Sequence, residues 1–289
     1  MKTWMLATVC GAALAGAAVA EEQYPYCQIL DRVDEPAWQA HVGYVGQARV
    51  RDPHGQDVSM LNFKGGGGLY YWRTDAGDVD LSGAYDFTAF DGSGGVDLPN
   101  QVAALRLDAA YTWRQWDGSA VKVDLYPGVY SDLEDIGFDD LYMPFQVLGI
   151  QAFNPQLSGV FGVAIYPGFA RSFDPRFGVR YAVSDELSVD LMYPESRVTY
   201  HPAAQWDVYA GLRNNPVAEY SLEDGDPRDA FQYDEARMYV GVNAPVNDLM
   251  RVMAQLGWTI SRSVDFDRVQ PARDVEDAFF VSLGVGGTL

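Results

Sequence analysis

The sequence is poor in the residues from which catalytic and metal centres are usually built. Its 289 residues include 3 histidines and 2 cysteines, and no H-x-x-x-H or C-x-x-C spacing occurs. A zinc site would therefore need ligands brought together from distant parts of the chain. The sequence accordingly predicts no metal centre, no cofactor site and no catalytic residues.

Basic residues are also scarce. The chain has 20 Lys and Arg against 40 Asp and Glu, a formal net charge of −20 at pH 7. Phosphate groups are bound through cations, so this balance excludes a nucleic-acid-binding protein and argues against docking on anionic membrane surfaces. Two acidic segments, residues 131–140 and 223–229, lack the calcium-loop pattern. They are predicted to be solvated loops, the alternative being cations that bridge to lipopolysaccharide phosphates.

Long apolar runs are missing after the N-terminus. Lys2 is followed by an uncharged run that ends in Ala18-Val19-Ala20, which predicts a secretory signal peptide over residues 1–20. Its removal also removes Cys10 and leaves only Cys27, so no intramolecular disulfide is expected. Residues 21–37 are predicted to be a periplasmic leader or plug. No later stretch of 18 apolar residues predicts a transmembrane helix.

What the chain does contain is alternation. In VDLSGAYDFTAF, residues 79–90, apolar and polar side chains take turns, which is the pattern of a strand with two different faces. Similar segments fill residues 38–289. They are 38–50, 63–73, 79–90, 102–114, 120–126, 145–153, 157–166, 176–183, 187–193, 197–201, 206–222, 236–244, 249–263 and 278–289.

The connections between these segments are alternately short and long, as in outer-membrane barrels, with one exception at the bend around Pro194. The sequence therefore predicts an all-β fold, a closed antiparallel transmembrane up-and-down β-barrel. The best count is 14 strands. It falls to 12 if the short pair around Pro194 is one bent strand or if 145–153 and 157–166 are wrongly split.

The distribution of charged residues predicts which face of each strand contacts lipid. In the clearly alternating segments the interior positions of the apolar face carry no charged residue, and a charge facing lipid at mid-depth costs roughly 2–4 kcal/mol. The opposite face is predicted to line the lumen. Its charged members are Arg49, Asp80, Asp86, Arg106, Asp108, Arg114, Lys122, Asp124, Arg180, Asp190, Arg197, Asp207, Arg213, Arg237 and Arg251. A soluble β-sandwich is the alternative, and it does not account for the alternating loop lengths.

Tryptophan supplies a second argument. With the N-terminus in the periplasm, Trp38, Trp72, Trp113 and Trp206 all fall at the periplasmic ends of their strands, and Trp116 falls in an adjoining turn. Indole rings favour the membrane interface, where one edge of the ring remains in contact with water. These residues are therefore predicted to form a periplasmic aromatic girdle.

The stretch LSVDLMYPESRVTYHPAAQWDVYAGL, residues 187–212, resembles a group of uncharacterised Gram-negative outer-membrane barrels that carry a domain of unknown function. In that group a strand ending in a Pro-containing bend is followed by R-x-x-Y and W-x-x-Y-x-G. The matching residues here are Arg197, Tyr200, Trp206, Tyr209 and Gly211. The segments 81–99 and 233–242 extend the resemblance over most of the mature chain. It implies insertion by the barrel-assembly machinery, although the chain ends on Leu289 where such barrels usually end on Phe or Trp.

The predicted function is a narrow passive channel for small solutes in the cell outer membrane, in contact with lipid and lipopolysaccharide. Its rival is a sealed structural or surface-interaction barrel, because the lumen charges could form ion pairs as readily as line a pore. A third alternative, an outer-membrane lipid-modifying enzyme, would have to begin from His54 and Ser59. The composition identifies no solute.

Overall fold

The computed structural model describes residues 37–51, 57–92, 98–115, 118–134, 136–169, 172–203, 205–222, 230–266 and 270–287. Among these residues, no helix has the length and apolar character needed to cross a membrane. The predicted signal peptide and nearly all of the predicted leader lie outside the described residues. The strands are β1 (Trp38–Arg49), β2 (Asp57–Thr74), β3 (Gly77–Gly92), β4 (Gln101–Arg114), β5 (Ser119–Leu125), β6 (Gly128–Ser131), β7 (Leu141–Tyr142), β8 (Phe145–Asn154), β9 (Leu157–Ile165), β10 (Phe173–Ser184), β11 (Leu187–Tyr193), β12 (Glu195–Ala203), β13 (Trp206–Ser221), β14 (Ala230–Asn247), β15 (Met250–Phe266), β16 (Gln270–Val275) and β17 (Phe279–Gly287).

Antiparallel pairing joins 14 of these strands into a closed barrel. Each strand bonds to the next along the chain, and the ring closes where β17 pairs with β1, with Val281 opposite Tyr44. The short strands β6, β7 and β16 extend neighbouring barrel strands past local interruptions. The prediction of a closed antiparallel barrel is confirmed. The count is 14 because β11 and β12, on either side of Pro194, are separate strands.

The two ends of the barrel differ. At one end, called here the turn end, tight turns of two residues join β2 to β3, β8 to β9, β10 to β11 and β14 to β15. At the other end, called the loop end, strands extend further than the sequence predicts. β2 begins at Asp57 and β14 at Ala230, and β16 lies inside a segment that the sequence assigns to a loop. In these extensions the inner side chains, such as Val58, Met60 and Phe231, are apolar and the outer ones are polar, so the polarity of the two faces is reversed relative to the main ring.

Above the main ring, the loop-end extensions close a second, narrower ring. The backbone of β13 meets β6 through a parallel pair, Ser221 with Ser131, and Val50 pairs with Val275. The nine strands β13, β14, β15, β16, β1, β2, β3, β4 and β6 thereby form a circuit in which β8–β12 take no part. We call this narrower ring, with its contents, the cap.

The cap is filled with apolar side chains. Phe231 and Val50 have no exposed surface, and Val264 and Phe266 are also buried. Edge-to-face and tilted contacts join Phe90, Phe231 and Phe266, with ring centroids 5.3 Å and 5.4 Å apart. The cluster continues through Val45, Val58, Met60, Val102, Ala104, Tyr130, Tyr220, Leu222, Tyr233 and Val275. A packed core of this kind closes the loop end of the barrel to water.

The outer surface of the main ring is an apolar belt. On neighbouring strands, Val42 and Tyr44 of β1 lie beside Leu61 and Phe63 of β2, all at least 39% exposed. The same face carries the outward side chains of the other strands. Among them are Leu105, Leu107, Phe161, Leu191, Val198, Leu212, Val240, Leu256 and Leu283. An exposed apolar surface on this scale is unusual for a soluble monomer.

Replacing Phe231 with Ala is expected to lower the free energy of unfolding by about 3–5 kcal/mol, because the cap offers no side chain to fill the cavity. The matched control is Phe138→Ala, since Phe138 is 92% exposed; its effect should stay below about 0.5 kcal/mol. Urea unfolding followed by tryptophan fluorescence measures both. Equal effects of the two substitutions would contradict a packed cap.

Candidate functional site

Every charged residue predicted to line the lumen, except Arg49, lies on the inner face of the barrel. On β3, β4 and β10 the inner face is identified by the contacts that its side chains make. Asp80, Asp86, Arg106 and Asp108 border an internal cavity, and Arg180 pairs with Asp190 of β11 across adjacent inner positions at 2.7 Å. The remaining predicted residues, Arg114, Lys122, Asp124, Arg197, Asp207, Arg213, Arg237 and Arg251, make inner-face contacts as well.

The prediction for Arg49 is wrong. A bulge in β1 between Val45 and Ala48 inserts an extra residue opposite β2, which reverses the faces of everything beyond it. Arg49 therefore pairs on the outer face with Asp57, at 3.9 Å, and its side chain is 63% exposed. Val45 and Ala48 point inward and are buried instead.

Ion pairs hold the turn-end half of the lumen. Nε and Nη2 of the buried Arg114 both donate to Oδ2 of the buried Asp78, Nε at 2.9 Å, and Nε of Arg73 approaches Oδ1 of the same carboxylate at 3.4 Å. Across the lumen, Asp207 accepts from Arg251 at 3.1 Å and contacts His201 at 2.8 Å. These pairs reinforce the wall: Arg114, Arg73 and His201 contact carboxylates of adjacent strands, and Arg251 of β15 reaches Asp207 of β13 across β14.

Three residues of the R-x-x-Y and W-x-x-Y-x-G pattern, Arg197, Tyr209 and Gly211, have a structural explanation inside the lumen. Tyr209 of β13 lies opposite Gly241 of β14, and Gly211 lies opposite Tyr239. A Cβ atom at either glycine would come within 2.7 Å of the facing tyrosine ring, so only glycine leaves room for it. Guanidinium groups then cover the rings, Arg197 over Tyr209 at 5.4 Å and Arg213 over Tyr239 at 5.6 Å.

Between the polar lumen and the apolar cap lies a cavity of about 410 Å³, called here the chamber. Its volume falls within the range of small-molecule sites. Aromatic rings and apolar side chains bound it towards the loop end, among them Phe90, Val102, Tyr130, Phe169 and Tyr233. Charged side chains bound it towards the turn end. They are Lys64, Asp80, Asp86, Arg106, Asp108, Asp124, Arg176, Glu235 and Arg237.

The charges of the chamber are largely paired with one another. Lys64 contacts Asp86 at 2.6 Å, and Arg106 contacts Asp108 at 2.7 Å. Arg237 forms a close pair with Glu235, whose carboxylate also accepts from the hydroxyl of Tyr233 at 2.7 Å. Because neither sign is left in clear excess, the chamber is suited to an uncharged molecule that has both an apolar and a hydrogen-bonding part.

Several chamber residues were missed by the sequence reading. Lys64 lies inside the predicted segment 63–73, in which the sequence predicted no lumen residue. Glu235 shares the inner face of β14 with the predicted Arg237, so extending the alternation one residue beyond segment 236–244 would have found it. Tyr130 lies in a segment predicted to be a loop, and Phe169 sits in the connection from β9 to β10. Nothing in the local sequence marks either residue as part of an internal site.

The predicted girdle tryptophans lie at the turn end of their strands. Trp72, Trp113 and Trp206 are at least 42% exposed on the outer face, and Trp38 opens β1 opposite Gly67 and Gly287. Trp116 and His54 lie outside the described residues. Within the described part of the chain, no group of three His, Cys, Asp or Glu side chains is placed to hold a metal ion.

Removing the guanidinium of Arg114, as Arg114→Met, is expected to lower the free energy of unfolding by about 3 kcal/mol, because it leaves the buried Asp78 with a weaker partner. Arg49→Met is the control, because that guanidinium is exposed and its effect should stay below about 0.5 kcal/mol. Urea unfolding measures both. A loss no larger than that of the control would mean that the Arg114–Asp78 pair adds nothing to stability.

The chain is similar to several solved structures and matches one family of proteins. Similar solved structures include the COG4313 outer membrane channel of Pseudomonas putida F1 (13% identity, 88% of this chain and 98% of that chain, TM-score 0.40) and a Pseudomonas aeruginosa FadL homologue (10%, 88% and 90%, TM-score 0.33). Another is the translocator domain of the autotransporter NalP from Neisseria meningitidis (9%, 96% and 98%, TM-score 0.36). These similarities are too distant to define a shared function. No curated protein matches the chain. The profile of DUF6268, a domain of unknown function, matches residues 115–280, more than half of the chain, and the protein therefore belongs to the DUF6268 family.

Proposed function

We propose that this protein is an outer-membrane β-barrel that provides a narrow, passive path for small solutes. The apolar belt supports the membrane location. In the closed barrel each strand pairs its backbone N–H and C=O groups with those of neighbouring strands, without water, and turns an uncharged face outward. The tryptophans at the turn end support an orientation with that end at the periplasmic interface. The cap then stands on the outer side of the cell.

The chamber is the observation that carries the channel function. A sealed barrel has no need of a cavity of about 410 Å³ bounded by both aromatic rings and hydrogen-bonding groups. Below it, inner side chains such as Arg180, His201 and Arg213 keep 37–38% of their surface exposed, so water reaches them from the turn end. A solute held in the chamber thus has an aqueous route on the periplasmic side.

The cap favours the second candidate, a sealed structural or surface-interaction barrel. Its buried core of Val50, Phe231, Val264 and Phe266 leaves no straight path through the loop end. A passive channel must therefore admit its solute either by movement of the cap or by a route beside it. A sealed barrel would require neither.

Lipid, lipopolysaccharide and the barrel-assembly machinery are the partners that this proposal implies. Passive passage of a solute requires no catalytic step. The chamber wall is built from ion pairs and aromatic rings. The lipid-modifying alternative depends on His54, which lies outside the described residues, and on Ser59, which stands on the outer face of β2 with Leu61.

Spin labels at Leu107 and Val240 are expected to collide with dissolved oxygen and to be shielded from a water-soluble nickel reagent, because both side chains project from the belt. A label at Ser82, which borders the chamber, is the inward control. Paramagnetic relaxation in phospholipid vesicles gives both accessibilities. Free access of nickel to Leu107 and Val240 would refute the membrane location.

In planar bilayers the purified protein is expected to give discrete conductance steps, and the substitution Phe169→Ala should increase the conductance of each step. The ring of Phe169 closes the chamber between Tyr142, 4.6 Å away, and Tyr130, 5.7 Å away, so its loss widens the space below the cap. Phe161→Ala, on the outer face of β9, is the control and should leave the conductance unchanged. A correctly folded protein that is silent in both forms would support the sealed barrel.

A further inference from the structure

The wall of the barrel is lowest where β11 and β12 meet. β11 has seven residues, which span about 23 Å along the strand and about 18 Å along the barrel axis at the usual tilt. A transmembrane strand needs about 9–11 residues. β5 is equally short, but β6 continues it. The tip of the β11–β12 hairpin therefore ends below the level that its neighbours reach.

The neighbouring strands continue past this tip. β10 pairs with β11 only from Phe177 onwards, so its residues 173–176 extend beyond the hairpin. On the other side β12 pairs with β13 as far as Arg213, and β13 runs on to Ser221, where it meets β6. Among the described residues, no strand fills the gap between these two edges. We call this gap the notch.

Tyr193, at the tip of the hairpin, bridges the notch. On the outer face its ring stacks on Phe177, with centroids 5.8 Å apart and planes 12° apart. Its hydroxyl reaches over the rim and donates to Oδ1 of the fully buried Asp174 at 3.1 Å, while it accepts from Nδ2 of Asn214 at 3.2 Å. One side chain thus connects β10 to β13 at the point where the sheet has no intervening strand.

The same contacts lead to the chamber. Asp174 pairs with Arg176 at 2.9 Å, and Arg176 donates to the hydroxyl of Tyr166 at 3.1 Å. Both Arg176 and Tyr166 border the chamber. The barrier between the notch and the chamber is therefore a short series of side chains joined by hydrogen bonds and one ion pair rather than a paired strand, and side chains rearrange faster than strands separate.

We propose that the notch is a lateral portal through which an uncharged, amphiphilic small molecule passes between the outer leaflet and the chamber. This inference rests on the proposed membrane location, which puts the hairpin tip within the outer leaflet. Phe173, Phe177, Leu191 and Leu212 give the rim an apolar outer face, so a molecule arriving from lipid meets no charge there. The chamber beyond offers aromatic rings to its apolar part and hydrogen bonds to its polar part.

Access to the chamber can be measured with a fluorophore attached at Ser82→Cys, in a protein whose Cys27 is replaced by Ser, reconstituted in phospholipid vesicles. The probe is a small uncharged nitroxide that dissolves in lipid, and its trimethylammonium derivative, which stays in water, is the second quencher. Tyr193→Phe removes the hydroxyl and keeps the stacked ring. It should raise quenching by the uncharged nitroxide about fivefold, as expected for the loss of two hydrogen bonds, and leave quenching by the charged one unchanged.

Tyr200→Phe, on the outer face of β12, is the matched control and should change neither value. Asn214→Ala breaks the same bridge from β13 and should reproduce the effect if Tyr193→Phe fails to fold. No increase in either variant, or an equal increase with the charged quencher, would overturn the portal. A label at Leu107 in the same vesicles separates the two proposals. If lipid-borne nitroxide quenches it while the chamber signal does not change, only the portal fails; if Leu107 is in water, the membrane location fails as well.

Discussion

The main ring depends on the requirement that the edges of its strands be paired. An open edge in a bilayer leaves peptide groups without partners, at a cost of several kcal/mol for each group. The main ring meets this requirement through the pairing of β17 with β1. Beyond the ends of β8–β12 the requirement is met only in part, since among the described residues no strand pairs with the edges of β10 and β13 at the notch. Strands β13 and β6 make one parallel pair. Their meeting at Ser221 and Ser131 closes the narrower ring.

The two rings give the interior two environments. The wide ring leaves a space that side chains from opposite walls do not fill, so its inner face carries ions that pair along the wall. The narrow ring is small enough for Phe231, Val264 and their neighbours to fill it completely. The chamber exists at the step from one diameter to the other. The chamber is thus a consequence of where five strands end.

The sequence predicted the main ring well, because one rule governs all of it: alternate residues face lipid and cannot be charged. That rule also located the inner ions, such as Arg106, Asp124 and Arg213. It failed at Arg49, since a bulge of one residue reverses the faces without any mark in the composition. It failed again at the loop end, where the outer side chains are polar and the strands of the cap read as loops.

The chamber could be predicted only in part. Its charged wall follows from alternation, but its aromatic wall does not, because Tyr130 and Phe169 belong to connecting segments whose path depends on the pairing of β6 with β13. For the notch, in contrast, the sequence did contain a signal. The short segments around Pro194 were visible in the sequence as an exception to the loop-length pattern, and the structure shows what that exception does to the height of the wall.

The strands of the cap come from the two ends of the chain, β1–β4 with β6 from the first half and β13–β16 from the second. Val45 and Val58 therefore acquire their neighbours Val264 and Phe266 only after the last hairpins have been delivered. Until that moment half of this apolar core lacks the side chains that cover it in the folded barrel. Closure of the main ring through β17 and completion of the cap through β15 and β16 therefore both depend on the last strands of the chain.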